Sequence, residues 1–282
     1  MLKQRVITAI VMLAVLLPAL FYSTPFPFCL VALVMIAAGG WEWGRLNGCG
    51  QALSVFLAFA TALLCALSWY FGLLEKPMQT VWVIVGAAWV LAGSWLLHQG
   101  VPGWSRIPKP LRLSGGVMVL SLAWLAIAQA RVIGINFLLS ILLLVWVADI
   151  FAYFAGRTFG GRFSKSKLAP SISPGKSWEG VWGGMAGVVV LAFAWLALDR
   201  HTSSFAGSLY ALLWTQHGAI VMLLAVVFLA AMSVVGDLVE SLIKRSAGAK
   251  DSSGLLPGHG GVLDRVDALL PTLPLAMMLV SF

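Results

Sequence analysis

The chain has 282 residues, of which 61% are hydrophobic and 10% charged, against about 45–50% apolar and about 25% charged for a soluble domain. That composition excludes a soluble enzyme and predicts an all-α, polytopic integral membrane protein. The net charge of +8 is explained by membrane topology and anionic lipid headgroups rather than by nucleic acid. Three cysteines, two of them inside apolar stretches, give neither a disulfide framework nor a zinc site.

Taken in chain order, apolar stretches long enough to approach or cross a hydrocarbon core of about 30 Å run over residues 6–22, 27–39, 52–73, 79–97, 114–130, 134–156, 180–198, 217–236 and 266–281. This predicts about nine transmembrane helices, the second and last of them short. The first, behind Lys3 and Arg5, resembles a secretory signal without a small-x-small cleavage site and is read as a retained helix. With the N-terminus inside, 15 of the 18 basic residues fall on one side, and only Lys76, Arg131 and Arg200 on the other. Cytoplasmic loops retain Lys and Arg, so the expectation is an inner (plasma) membrane protein with its N-terminus and polar loops cytoplasmic. No internal repeat or linker is visible, so residues 1–282 are read as a single membrane domain. Its N-terminal helices, 1–130, are nearly free of acids. Residues 131–282 carry Asp149 and the polar loops 157–179 and 237–265, so the chemistry is expected there.

The segment 241–267, SLIKRSAGAKDSSGLLPGHGGVLDRVD, concentrates charge and glycine in an otherwise apolar chain. Just upstream, Asp237, Glu240, Ser241 and Lys244 are spaced i, i+3, i+4 and i+7, one face of a helix leaving the membrane. A stretch with Gly248, Gly254, Gly258, Gly260 and Gly261 follows, where backbone N–H groups could approach an anion. Asp264 and Asp267 then share a face at the start of the last span. Paired carboxylates with Lys and Arg suit a divalent cation and phosphate. Basic juxtamembrane loops with capping aspartates contain the same residue types without chemistry. Acids beside membrane-buried helix ends favour function, because a charge inside a bilayer costs on the order of 2.5–3.5 kcal/mol.

The same residues resemble the signature of the phosphatidate cytidylyltransferases, or CDP-diacylglycerol synthases, of the bacterial type. Ser241, Lys244, Arg245, Lys250, Asp251, Ser253, Leu256, Pro257, His259, Gly260, Gly261, Asp264, Arg265 and Asp267 meet every fixed position of that pattern. The likeness extends upstream to Asp149, Ala152, Tyr153, Gly156 and Gly160, to Ser173-Pro174-Gly175-Lys176-Ser177 with Glu179-Gly180, and to Gly236-Asp237. Over the N-terminal third it rests on span layout and on Trp41-Glu42-Trp43-Gly44.

The resemblance implies transfer of a cytidylyl group from CTP to phosphatidate, giving CDP-diacylglycerol and pyrophosphate in phospholipid biosynthesis. It implies Mg²⁺ as cofactor, with a second cation open. The partners implied are CTP, phosphatidate and membrane lipids; self-association is left open. The ionised lipid phosphate is itself the nucleophile, so positioning and charge neutralisation should carry the catalysis. Asp237 and Asp264 are first choices as metal ligands. Asp251 and Asp267 come second, since either could instead anchor Lys244, Arg245 or Arg265. Asp149 is a further metal or network ligand or a helix-packing partner. Asp237, Lys244, Lys250 and Asp264 are expected to be catalytic. Lys176, Ser241, Arg245, His259, Gly260, Gly261 and Arg265 are expected to bind substrate, although Lys176 also fits a purely topological role. PSISPGKS at 170–177 ends like a P-loop but has Pro170 in place of the first glycine, which excludes a P-loop NTPase. A transporter with Asp149, Asp237 and Glu240 as coupling groups would be expected to show paired halves, which this asymmetric chain lacks.

Overall fold

A computed structural model describes residues 2–164, 166–201 and 207–281. Lys165 and the side chain of Lys3, both counted in the basic set, lie outside the described residues. The elements are α1 (Leu2–Phe21), α2 (Phe26–Leu46), α3 (Gln51–Tyr70), α4 (Gln79–Gln99), α5 (Val101–Arg106), α6 (Lys109–Ile133), α7 (Ile135–Phe159), α8 (Trp178–His201), α9 (Leu209–Ser246), α10 (Leu263–Val266) and α11 (Leu269–Val280). Among the described residues there is no strand beyond two isolated bridges, as the all-α expectation requires.

Eight of these helices are long and apolar enough to cross a membrane. The second expected span is longer than its apolar core, because α2 continues through Gly39-Gly40-Trp41-Glu42 as far as Leu46. The ninth expected span is α11, whose 12 residues reach roughly 18 Å at 1.5 Å per residue. It is too short to span alone. It is instead enclosed by α4, α6, α7 and α9, with Leu275 and Ala276 fully buried.

Contacts between helix ends separate the chain into two faces. On one, Thr8 of α1 bonds to Pro257, Glu42 at the end of α2 bonds to residues 252–263, and Lys109 reaches Gly48. On the other, Arg131 donates to the carbonyls of Leu20 and Tyr22, and Asn136 reaches Asp199. The alternation expected from nine membrane segments is therefore kept, and the polar loops gather on the face where the basic residues lie.

Two close approaches fix the helices that carry the polar groups. Along the α7–α8 contact, a Cβ on Gly180 would come within 2.9 Å of the Ala152 carbonyl oxygen, and one on Gly184 within 2.8 Å of that of Ala148. Small residues at this spacing let membrane helices pack backbone to backbone. At Gly236 on α9, a Cβ would lie 2.5 Å from the Asp267 carbonyl oxygen and 2.8 Å from the Pro271 ring, so this glycine sets how closely α11 docks beneath the loop. Gly236→Val should displace α11 and lower the melting temperature in detergent by several degrees, with a cost of about 1–3 kcal/mol for overpacking. An unchanged melting curve would remove this account of Gly236.

Candidate active site

The last turns of α9 extend past the apolar segment to Ser246, so Asp237, Glu240, Ser241 and Lys244 are presented on one helix as the spacing predicts. The chain turns just past the helix end at Gly248, where φ is +68° and the Ala249 amide bonds back to the Lys244 carbonyl at 2.9 Å. That left-handed turn suits glycine and sends the chain back over the helix end. The following loop is pinned by a narrow turn in which Leu256 N donates to Gly260 O and His259 N to Leu256 O, each at 2.8 Å.

Lys244 is the central cation of this arrangement. Its Nζ lies 2.5 Å from Glu240 Oε2 and 2.6 Å from Asp264 Oδ1, so α9 and α10 are joined through one ammonium. The other oxygen of Asp264 accepts from Ser252 N at 2.9 Å, Ser252 Oγ at 2.8 Å and Gly261 N at 2.7 Å. Burial alone would raise the Asp264 carboxyl, but Lys244 and the Gly261 and Ser252 amides outweigh it and hold it below the usual carboxylate range.

Asp264 has both oxygens engaged by protein donors, which makes it the anchor of Lys244 and of the loop. The Gly261 amide donates to the same carboxylate.

A second charged group lies alongside. Lys176 Nζ is 2.5 Å from Asp237 Oδ2, and Ser241 Oγ donates to Asp237 Oδ1 at 3.3 Å. Asp149 on α7 is in electrostatic range of Asp237 and Lys176. Asp267, in the link between α10 and α11, is in range of Asp237, Lys244 and Asp149. Burial and the Asp237 charge raise the Asp267 carboxyl above its usual range. Three carboxylates from α7, α9 and the α10–α11 link are therefore in mutual electrostatic range, and Lys176 pairs with the one on α9. Among the described residues no three Asp, Glu, His or Cys side chains are grouped tightly enough to hold a metal ion unaided.

The signature loop, through Lys250, Asp251, Ser253, His259 and Arg265, also lines with Arg5 a cavity of about 500 Å³, within the range of about 300–1,000 Å³ for small-molecule sites. His259 has a buried Nδ1 without a hydrogen-bond partner among the described residues, and Arg265 Nε donates to the His259 carbonyl at 3.1 Å. Asp251 thus lies among the cavity cations. Arg245 is turned to the loops, with Nε to the Ile172 carbonyl and NH1 to the Ala249 carbonyl, both at 3.3 Å. Its contacts tie two polar loops together.

Sequence reasoning gave no role to Glu42, an acid as fully engaged as Asp264. It is fully buried, and its Oε1 accepts from Ser253 Oγ at 2.5 Å and Val262 N at 2.9 Å. Its Oε2 accepts from Ser252 Oγ at 3.2 Å and Leu263 N at 2.8 Å. Ser252 Oγ thus stands between Glu42 and Asp264. The available signal was that Glu42 and Glu75 are the only acids in the first 130 residues, and an acid in so apolar a stretch needs partners. Glu179, at the start of α8, plays a parallel part for the other loop, accepting from Phe163 N at 3.1 Å and Ser164 N at 2.8 Å.

The cytidylyltransferase family matches over residues 3–282. A phosphatidate cytidylyltransferase of Pseudomonas aeruginosa is 38% identical over 97% of this chain and 95% of its own length. One of Haemophilus influenzae is 36% identical over 97% of this chain and 96% of its own. A third, of Brucella abortus, is 34% identical over 95% of this chain and 89% of its own. With the family matched along nearly the whole chain, and with the signature residues gathered at one end of the apolar helices, this protein belongs to the cytidylyltransferase family.

Proposed function

We infer that this protein is a phosphatidate cytidylyltransferase, transferring the cytidylyl group of CTP to phosphatidate to give CDP-diacylglycerol and pyrophosphate in phospholipid biosynthesis. The observation that carries the reading is the bolting of Lys244 between Glu240 and Asp264 beside a loop that lines a cavity with cations, in a chain similar to such enzymes over its length. In the reaction, a phosphate oxygen of phosphatidate bonds to the α-phosphorus of CTP, the α–β bridging P–O bond breaks, and pyrophosphate leaves. No protein nucleophile is required, since the attacking oxygen is already ionised. The task is to bring two polyanions together and hold them in line.

Each group of residues supports part of that task. Lys250, Arg265 and the His259 ring line the cavity and are suited to the phosphates of the nucleotide. Lys176 stands at the acid cluster, where it can turn from Asp237 to a phosphate oxygen. Lys244, fixed between two carboxylates, supplies a preorganised positive charge with little reorganisation.

The donor set around Asp237 suits Mg²⁺, which is commonly held by one or two carboxylates with substrate phosphates completing its shell. Asp237 and Asp267, with Asp149 beside them, would hold it, and their mutual repulsion is what a divalent cation relieves. When bound, Mg²⁺ would neutralise phosphate charge at the reacting centre. The concentration of basic residues on the active-site face supports a cytoplasmic orientation in a bacterial inner membrane. Asp237→Asn should weaken Mn²⁺ binding, followed by electron paramagnetic resonance in the presence of CTP, by at least about tenfold. Mn²⁺ affinity equal to wild type would contradict the assignment.

A further inference from the structure

The first helix has the composition of a peripheral anchor, with only 11% of its apolar window buried. Its start is nevertheless attached to the signature loop. Thr8 Oγ1 donates to the Pro257 carbonyl at 2.8 Å. Arg5 lies against Gly258, where φ is +77° and a Cβ would come within 2.9 Å of Arg5 Cγ. From this position Arg5 lines the cavity with Lys250, His259 and Arg265. Among the described residues, neither Arg5 nor Lys250 is in an ion pair, and His259 Nδ1 is buried without a partner.

We propose that Arg5 is a substrate-contacting residue, supplied by the first membrane helix to bind phosphate in this cavity. The cavity gathers three cations, Arg5, Lys250 and Arg265, against the single carboxylate of Asp251. Arg265 uses Nε on the His259 carbonyl and keeps the remainder of its guanidinium for another acceptor. That surplus suits the polyphosphate chain of a nucleotide better than one lipid phosphate. Arg5 enters from a different element than the other two, so α1 completes a site that the signature loop leaves open on one side. The basic start of the chain then serves chemistry as well as membrane orientation. This inference rests on reading Lys250 and Arg265 as phosphate contacts.

The test is steady-state kinetics of the full chain in mixed micelles, varying CTP and phosphatidate separately. Arg5→Ala should raise KM for CTP about tenfold, the loss of one charge-assisted contact, with KM for phosphatidate within about twofold of wild type. Arg5→Lys should recover most of the loss. A rise confined to KM for phosphatidate would still support a phosphate contact and would assign it to the lipid headgroup. No change in either KM would overturn the proposal. Lys250→Ala, run in parallel, separates the two levels. If it raises KM for CTP and Arg5→Ala does not, the role of Arg5 fails alone; if neither does, the phosphate reading of the cavity fails with it. Should Arg5→Ala not fold, Arg5→Gln can be read by the CTP-induced rise in melting temperature without phosphatidate. The proposal expects a smaller rise than in wild type, and an equal rise would overturn it.

Discussion

Asp264→Asn is expected to lower kcat by about 10²–10³-fold, the scale associated with losing one preorganised electrostatic group, while the protein still inserts and folds. The substitution keeps the shape of the side chain and one carbonyl oxygen for the Ser252 and Gly261 amides. It removes the charge that, with Glu240, holds Lys244 in place. Lys244 would then be drawn to Glu240 alone, and the ammonium would leave the position that serves the reaction. Lys244→Met is the harsher change, since it leaves two buried carboxylates without their cation. Breaking such a pair costs about 3–5 kcal/mol, and unfolding would obscure the kinetic effect. A mutant Asp264→Asn with kcat near wild type would mean that Lys244 does not depend on this carboxylate.

The second large effect is expected at Glu42, far from the signature in sequence. Glu42→Ala removes the acceptor of four hydrogen bonds from Ser252, Ser253, Val262 and Leu263, leaving buried amides unsatisfied. Each hydrogen bond to a charged group is worth about 1.5–3 kcal/mol, and these share one carboxylate, so a loss on the order of 3 kcal/mol is expected rather than their sum. Glu42→Gln retains one oxygen but turns an amide NH₂ toward donors that need an acceptor, so it should rescue only part of the loss. Activity should fall with loop order, because Ser252 connects Glu42 to Asp264. Melting temperature in detergent and kcat, measured together on both variants, check this. Wild-type values for Glu42→Ala would refute the clasp.

The membrane architecture was legible because apolar length and basic asymmetry are strong one-dimensional signals. The exception is α11, which reads as a span but is enclosed by other helices, and only three-dimensional packing reveals that. The site was legible where its residues are close in sequence: Asp237, Glu240 and Lys244 share a helix face by simple periodicity. The contacts between these residues were not legible. Asp264 and Gly261 carry the residue types of a ligand and an anion-binding amide, and only the folded chain shows that the Gly261 amide and Ser252 both donate to Asp264. Arg5 and Glu42 were invisible as site members because the expectation confined chemistry to residues 131–282. Their roles arise from the return of α1 and α2 to the loop some 210 to 250 positions away.

The most direct test of the central claim is formation of radiolabelled CDP-diacylglycerol from CTP and phosphatidate by the purified protein, with Asp264→Asn and a chelator as controls. The account predicts liponucleotide and pyrophosphate in equal amounts from wild type, abolished by the chelator and nearly abolished in the mutant. Folded wild-type protein that makes no liponucleotide from several phosphatidates would contradict it.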